Sequence, residues 1–255
     1  MNFRNDNQSM LYSVYHNNAR YVKGIEEASR FRKIVEAMSI IDRCFFVPKS
    51  LQKECYIDSP LPIGYNVTIS QPTTVARMLF LANIKKGNSI LEIGSGSGWN
   101  ASLIASLAEN GKIASIERVK MLSLLARKNF ENFKKISKSN KAKKMEVDFV
   151  FGDAMNHRGK IWKEKYDRIM LTAGVSDEFL QEVRKMGIKL LNENGLLVFP
   201  REDAHGSMEV WAKKTLGNRR ISGAPKTRKF SSEGKLVSVF RESGYAFVPL
   251  TKGRA

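Results

Sequence analysis

The run LEIGSGSGW, Leu91 to Trp99, sets an apolar strand directly before three glycines and the opening of a helix. No other stretch restricts the fold so strongly. Gly94, Gly96 and Gly98 lack β-carbons, so the chain can turn sharply there and a ligand can come close to its backbone. A turn of that kind belongs to a sheet whose strands are linked by helices.

The rest of the chain keeps the same rhythm. SILEI, KIASIE, VDFVFGD, YDRIMLTA and GLLVFP read as short, mostly apolar strands. Helical runs separate them at Asn100–Glu109, Val119–Phe133 and Asp177–Leu191, the last with Phe179, Leu180, Val183, Met186 and Leu190 on one face. Such alternation calls for a parallel sheet covered on both sides. After Pro200, MEVWAKK and KLVSVF are strands without long helices, separated by the basic segment Gly217–Lys229, which predicts an antiparallel edge. Ahead of the glycine loop, Ala28, Phe31, Ile34, Val35, Met38 and Ile41 mark one amphipathic helix, and Val75, Met78, Leu79 and Leu81 a second. The expectation is an α/β fold: a doubly wound, mostly parallel seven-stranded sheet with an N-terminal helical extension and an antiparallel C-terminal edge.

Composition narrows the classes. With 42% hydrophobic and 27% charged residues and no apolar run near the ~20 residues of a membrane span, no membrane partner is expected. The polar, Asn-rich first twenty residues do not resemble a secretory signal, so a cytoplasmic protein is expected, and a monomer. Cys44 and Cys55 fit neither a disulfide framework nor a zinc site and are expected as free buried thiols. His16, His157 and His205 show no zinc spacing, and no metal is expected. The net charge of +18 includes an acid-free run, Lys134, Lys135, Lys138, Lys141, Lys143 and Lys144, and a second cluster, Arg219, Arg220, Lys226, Arg228 and Lys229. Neither run carries interleaved aromatics, so a solvated loop is favoured over a nucleic-acid groove.

Gly96, Gly98 and Ala101 also satisfy the spacing of a dinucleotide site, so the loop alone leaves the cofactor open. Glu92 argues against NAD, because an acid facing a pyrophosphate is repelled, whereas it suits the ammonium of a methionine moiety. Glu117, ending the second strand, is placed to accept from ribose hydroxyls. Asp153, ending the third, is placed to meet an adenine amine. Acids and glycine loop at successive strand ends favour a nucleoside cofactor, S-adenosylmethionine, although Glu117 and Asp153 also suit helix capping. No GxSxG motif is present and no Walker lysine follows the glycines.

One segment is more specific. YIDSPLPIGYNVTISQPT, Tyr56 to Thr73, carries three prolines and a glycine amid apolar residues. Its Tyr56, Asp58, Pro60, Leu61, Pro62, Ile63, Gly64, Thr68, Ile69, Ser70, Gln71 and Pro72 match the Y-x-D-x-P-L-P-I-G and T-I-S-[AQ]-P segments of the protein-L-isoaspartate O-methyltransferase family. The chain resembles that family from about Ile25 to Thr251, with Glu117, Gly152–Asp153, Leu197–Pro200 and Phe247–Thr251 in family order. The resemblance implies a Rossmann-like class I methyltransferase with residues 1–22 as an extension, 23–255 as one domain and 23–82 as its helical substrate segment. It implies that Val67, Thr68, Ile69, Glu92, Gly94, Gly96, Gly98, Glu117, Asp153, Ala154 and Thr251 hold S-adenosylmethionine. Ser70 would contact the acceptor carboxylate, and the alternative is that it caps the helix opening at Pro72. Asp58 is expected as a turn former or loop anchor.

The activity implied is methylation of the free carboxylate of L-isoaspartyl residues in damaged proteins or peptides, whose ester collapses to a succinimide and returns some normal aspartate. The chain departs from the family pattern at Thr172–Ser176, where a proline-containing A-A-A-P-like turn is usual, and at Asn194, where a glycine is usual. The alternatives are a relative that methylates an aspartate in one dedicated partner, an RNA methyltransferase, and a cofactor-binding module without turnover. Against the RNA reading, the fourth strand ends in LTAGV rather than the N/D-P-P-Y/F of base amino-group methylation.

Overall fold

A computed structural model describes residues 6–156, 159–213, 236–251 and 253. Helix α1, Asn7–Asn18, is capped by Asp6, whose carboxylate accepts from Ser9 N at 2.9 Å. It buries Met10, Leu11 and Val14 against α2, Ile25–Ile40, and α3, Pro72–Ala82. Between α2 and α3, two short 3-10 turns, Arg43–Phe46 and Lys49–Glu54, lead into a hairpin of β1, Leu61–Gly64, and β2, Val67–Ile69. The proline-rich segment is therefore a strap of two antiparallel strands. Its two-residue turn, Tyr65–Asn66, has φ of 56° and 57°, the left-handed pair that matches the twist of a tight hairpin.

The main sheet comprises β3, Ser89–Ile93; β4, Lys112–Glu117; β5, Asp148–Phe151; β6, Tyr166–Leu171; β7, Leu191–Arg201; β8, Ser207–Lys213; and β9, Leu236–Ser243. Helices α4, Trp99–Ala108, α5, Lys120–Ile136, the short α6, Asn140–Lys143, and α7, Asp177–Leu190, lie between the first five strands, except that β5 runs to β6 through the 3-10 turns Ala154–Asn156 and Lys160–Lys163. The order is β5-β4-β3-β6-β7-β8-β9, parallel as far as β7 and antiparallel beyond. Alternate strand residues feed opposite faces: Ile90 joins the core under α1 to α5, while Leu91 and Ile93 join the core that includes α7. The central strands are mostly apolar because both faces are covered, with Glu92, Ser115 and Arg168 as buried polar exceptions. Strand order reverses between β3 and β6, and ligands of open sheets collect at that crevice, beyond the strands' carboxyl ends.

Two expectations change, and one departure from the family pattern finds its reason. Cys44 and Cys55 are paired as a disulfide rather than free, because the two 3-10 turns fold back and bring their Cα atoms to 5.1 Å, inside the bridging range. The lysine run is largely helical: Lys134 and Lys135 occupy the last turn of α5, where the helix dipole favours cations, and α6 carries Lys141 and Lys143. Asn194 adopts φ of 62°, which explains why asparagine stands where glycine is usual. The basic cluster Arg219–Lys229 lies outside the described residues. Among the described residues, no helix is long and apolar enough to cross a membrane and no group of His, Cys, Asp and Glu could hold a metal.

Candidate active site

A cleft of about 810 Å³ opens at the carboxyl ends of β3, β4, β5 and β6. Its floor is the glycine loop. Gly94 has φ of 100°, and a Cβ there would lie 2.3 Å from Thr172 Oγ1, so the loop can pass β6 only as glycine. Thr172 closes that contact by donating to the carbonyls of Gly94, at 2.8 Å, and Ile93, at 3.1 Å. Gly96 has φ of 50°, and a Cβ built on it would sit 3.6 Å from Ile63 Cδ1, so the strap rests against the loop. Val67, Thr68, Ile69 and Ser70 form one wall, facing Ala154 and Thr251 across the same space.

The two strand-end acids that line the cleft are each half engaged. Glu117 accepts from Gly96 N and Val119 N, both at 3.0 Å. Asp153 accepts from Met155 N and Gly253 N, both at 2.8 Å. An ionised carboxylate offers about four lone-pair positions, so each acid can fix backbone and still accept from a ligand. Backbone capping by these residues thus leaves acceptor capacity facing the cleft.

Two expected ligand contacts do not reach the cleft. Glu92 is fully buried and absent from its walls: parallel pairing sets it beside Ser115 of β4, whose hydroxyl donates to it, and Asn100 Nδ2 donates from 2.7 Å. Burial pushes its pKa up to about 7, against the pull of those two donors. Its expected meeting with a ligand ammonium is replaced by support from beneath, since Asn100 itself lines the cleft. Gly98 is also outside the walls, and a Cβ there would lie 2.8 Å from the Ala126 carbonyl, so it serves the packing of α4 on α5.

Ser70 does not cap α3. The Ncap position is Gln71, whose side chain makes no capping bond, and Asp58 instead accepts from Thr73 N at 2.9 Å and Thr73 Oγ1 at 2.6 Å. Asp58 is thus the anchor that ties the strap to α3, and the Ser70 hydroxyl has no partner among the described residues. Behind Ser70 stands Arg43, fully buried, donating to its carbonyl at 3.2 Å. Sequence reading passed over Arg43, although a cation within the apolar run IIDRCFFVP was the available signal.

The far wall comes from the C-terminal segment, where Tyr245 and Phe247 stack with centroids 6.0 Å apart. The Tyr245 hydroxyl donates to Glu242 at 2.6 Å, and Glu242 pairs with Arg77 of α3 at 3.0 Å. Burial, reinforced by Glu242, pushes the Tyr245 pKa up and keeps the phenol protonated. The departing Thr172–Ser176 turn is held without a proline: Gly174 exchanges backbone hydrogen bonds with Val248 and Leu250, at 2.7 and 2.8 Å, and Arg201 donates to the carbonyls of Val175 and Ser176.

A cleft of this size accommodates a nucleoside-sized cofactor together with an acceptor side chain. The cradle left by Gly94 and Gly96 and the acceptor-only ends of Glu117 and Asp153 suit a ligand rich in hydroxyl and amino donors. The sequence profile of the protein-L-isoaspartate(D-aspartate) O-methyltransferase family matches residues 23–228. The chain belongs to that family. A protein-L-isoaspartate O-methyltransferase of Methanococcoides burtonii is 36% identical over 198 residues, 77% of this chain and 90% of the relative. One from Pyrococcus horikoshii is 32% identical over 240 residues, 94% of each chain. The fold agrees with a Plasmodium falciparum protein-L-isoaspartate O-methyltransferase crystallised with S-adenosyl-L-homocysteine, at TM-score 0.70 and 22% identity over 99% of this chain and 100% of that one. The methyltransferase profile begins at residue 23, so α1 lies outside the matched region.

Proposed function

We infer that this chain methylates the free carboxylate of L-isoaspartyl residues in damaged proteins and peptides, with S-adenosylmethionine as donor. When bound, the donor supplies a methyl group activated by a sulfonium. The acceptor needs no base, because a carboxylate with a pKa of about 4 is already ionised at neutral pH. The work left to the chain is alignment and exclusion of water. Ser70 donates its hydroxyl to the acceptor carboxylate and holds one of its oxygens toward the glycine loop. Val67–Ile69 cover the reacting groups, Glu117 accepts from the ribose hydroxyls and Asp153 from the adenine amine, while Ala154 and Thr251 complete the walls. Glu92 acts through Asn100 rather than by contact.

The observation that carries this reading is the strap: the family-specific segment rests on the glycine loop with the Ser70 hydroxyl uncommitted. Paired peptides differing only in an isoaspartyl or aspartyl linkage test it, with RNA as a third acceptor and radiolabelled methyl incorporation as readout. Incorporation into the isoaspartyl peptide alone is expected. Equal labelling of both peptides, or labelling of RNA alone, overturns it.

A further inference from the structure

We propose that Arg43 is the positioning residue for the acceptor half of the site, closing the base of the strap and setting the place of Ser70. This rests on the reading of Ser70 as the acceptor contact. Arg43 lies in the 3-10 turn after α2, and its guanidinium gathers four backbone carbonyls. Nη1 donates to Cys55 at 2.8 Å and Ile57 at 3.1 Å; Nη2 donates to Ser59 at 2.9 Å and Ser70 at 3.2 Å. Ser59 precedes the hairpin and Ser70 follows it, so one nitrogen holds both of its feet.

The same turn also grips the cofactor side. Trp99, the first residue of α4 after the glycine loop, donates from Nε1 to the Ile41 carbonyl at 3.0 Å, and the Arg43 guanidinium lies 5.5 Å from its ring centroid. Ile41–Arg43 is thereby a common base from which strap and glycine loop are both hung. Such an arrangement fixes the distance between acceptor and donor, on which in-line transfer depends steeply.

A core filler would not look like this. Arg43 has no carboxylate within ion-pair distance among the described residues, and its Nε is buried without an acceptor. Taking a cation out of water carries a desolvation cost that an apolar side chain of similar volume does not. Burial lowers its pKa to about 10, with Asp58 opposing, so the charge persists at neutral pH beneath a site that receives an anion. Lysine cannot replace it, since a single ammonium lacks the planar fork that spans separated carbonyls.

The test is a double-mutant cycle of Arg43→Lys and Ser70→Ala, reading kcat and KM for an isoaspartyl peptide, S-adenosylhomocysteine affinity by calorimetry, and Tm. Each single variant is expected to lose on the order of 100-fold in kcat with cofactor affinity within about threefold, as for a misplacement of roughly 1 Å. The double variant is expected to be no worse than the more damaged single one, because both changes remove the same placement. Unchanged kcat in Ser70→Ala overturns the reading of Ser70. With Ser70→Ala impaired, losses that multiply in the double variant, or equal losses of turnover and cofactor affinity in Arg43→Lys, overturn the inference for Arg43. Arg43→Gln, whose amide still reaches a carbonyl, enters the same cycle if the lysine variant does not fold.

Discussion

Glu92 combines full burial, two side-chain donors and a raised pKa, and this makes it a proton-linked element of stability. Its folded pKa of about 7 lies above the ordinary value of 4.5. Between those values the folded state holds a proton that the unfolded state releases, so this contribution is present below about 4.5 and is lost as pH rises through about 7. Glu92→Gln keeps an acceptor for Asn100 and removes the titration; its Tm is expected to vary less with pH between 5 and 7 than that of the parent, measured by thermal melts in matched buffers. Parallel curves would refute the linkage. The role of Glu92 was hidden in the sequence because its partner Ser115 lies on another strand and becomes its neighbour only through the β3–β4 register. Gly98 was equally opaque: the spacing announced a ligand glycine, while the contact that demands it, the Ala126 carbonyl, comes from α5.

At the scale of elements, the strap and the C-terminal segment both line the cleft, and a half-buried network ties the C-terminal segment to α3, the helix that follows the strap. Arg77 of α3 pairs with Glu242 at the end of β9, Glu242 accepts from Tyr245, and the Arg77 guanidinium lies 3.8 Å from the Tyr21 ring centroid. Glu242→Ala leaves that guanidinium buried without its carboxylate, which costs about 3 kcal/mol when a buried pair loses one partner. The expected outcome is a lower Tm together with a raised KM for cofactor or peptide, since Tyr245 loses its anchor; a lower Tm with unchanged KM would separate the network from the site. The seven main strands and the flanking helices were legible from apolar runs and helical periodicity, with ends shifted by a few residues. The hairpin was not, because Pro60 and Pro62 argue against a strand and only Asn66 of its turn is a usual left-handed residue. Pro62 is tolerated because this two-stranded sheet has only edges.

Over the whole molecule, the least legible part was the beginning. A polar, Asn-rich stretch gave no helical face, yet α1 buries three apolar side chains, and its Asn17 donates to Asp58 at 3.1 Å. Burying Met10, Leu11 and Val14 is worth roughly 5 kcal/mol together, a large share of the ~5–15 kcal/mol that holds a domain folded. A chain trimmed to begin at residue 23, where the family profile begins, is expected to melt at lower temperature or to aggregate. Thermal melts of the two lengths check this, and identical Tm values would show α1 to be dispensable. The cleft, for its part, is assembled from the strap, the glycine loop, the tips of three further strands and the C-terminal segment, so its parts span residues 60 to 251. The walls of this cleft come from stretches far apart in sequence, and a molecule lodged there laces them together. Occupancy therefore acts as a reporter of completed folding: a donor analogue at a hundred times its Kd would add about 2.7 kcal/mol, shielding the backbone from proteases far from any residue it touches.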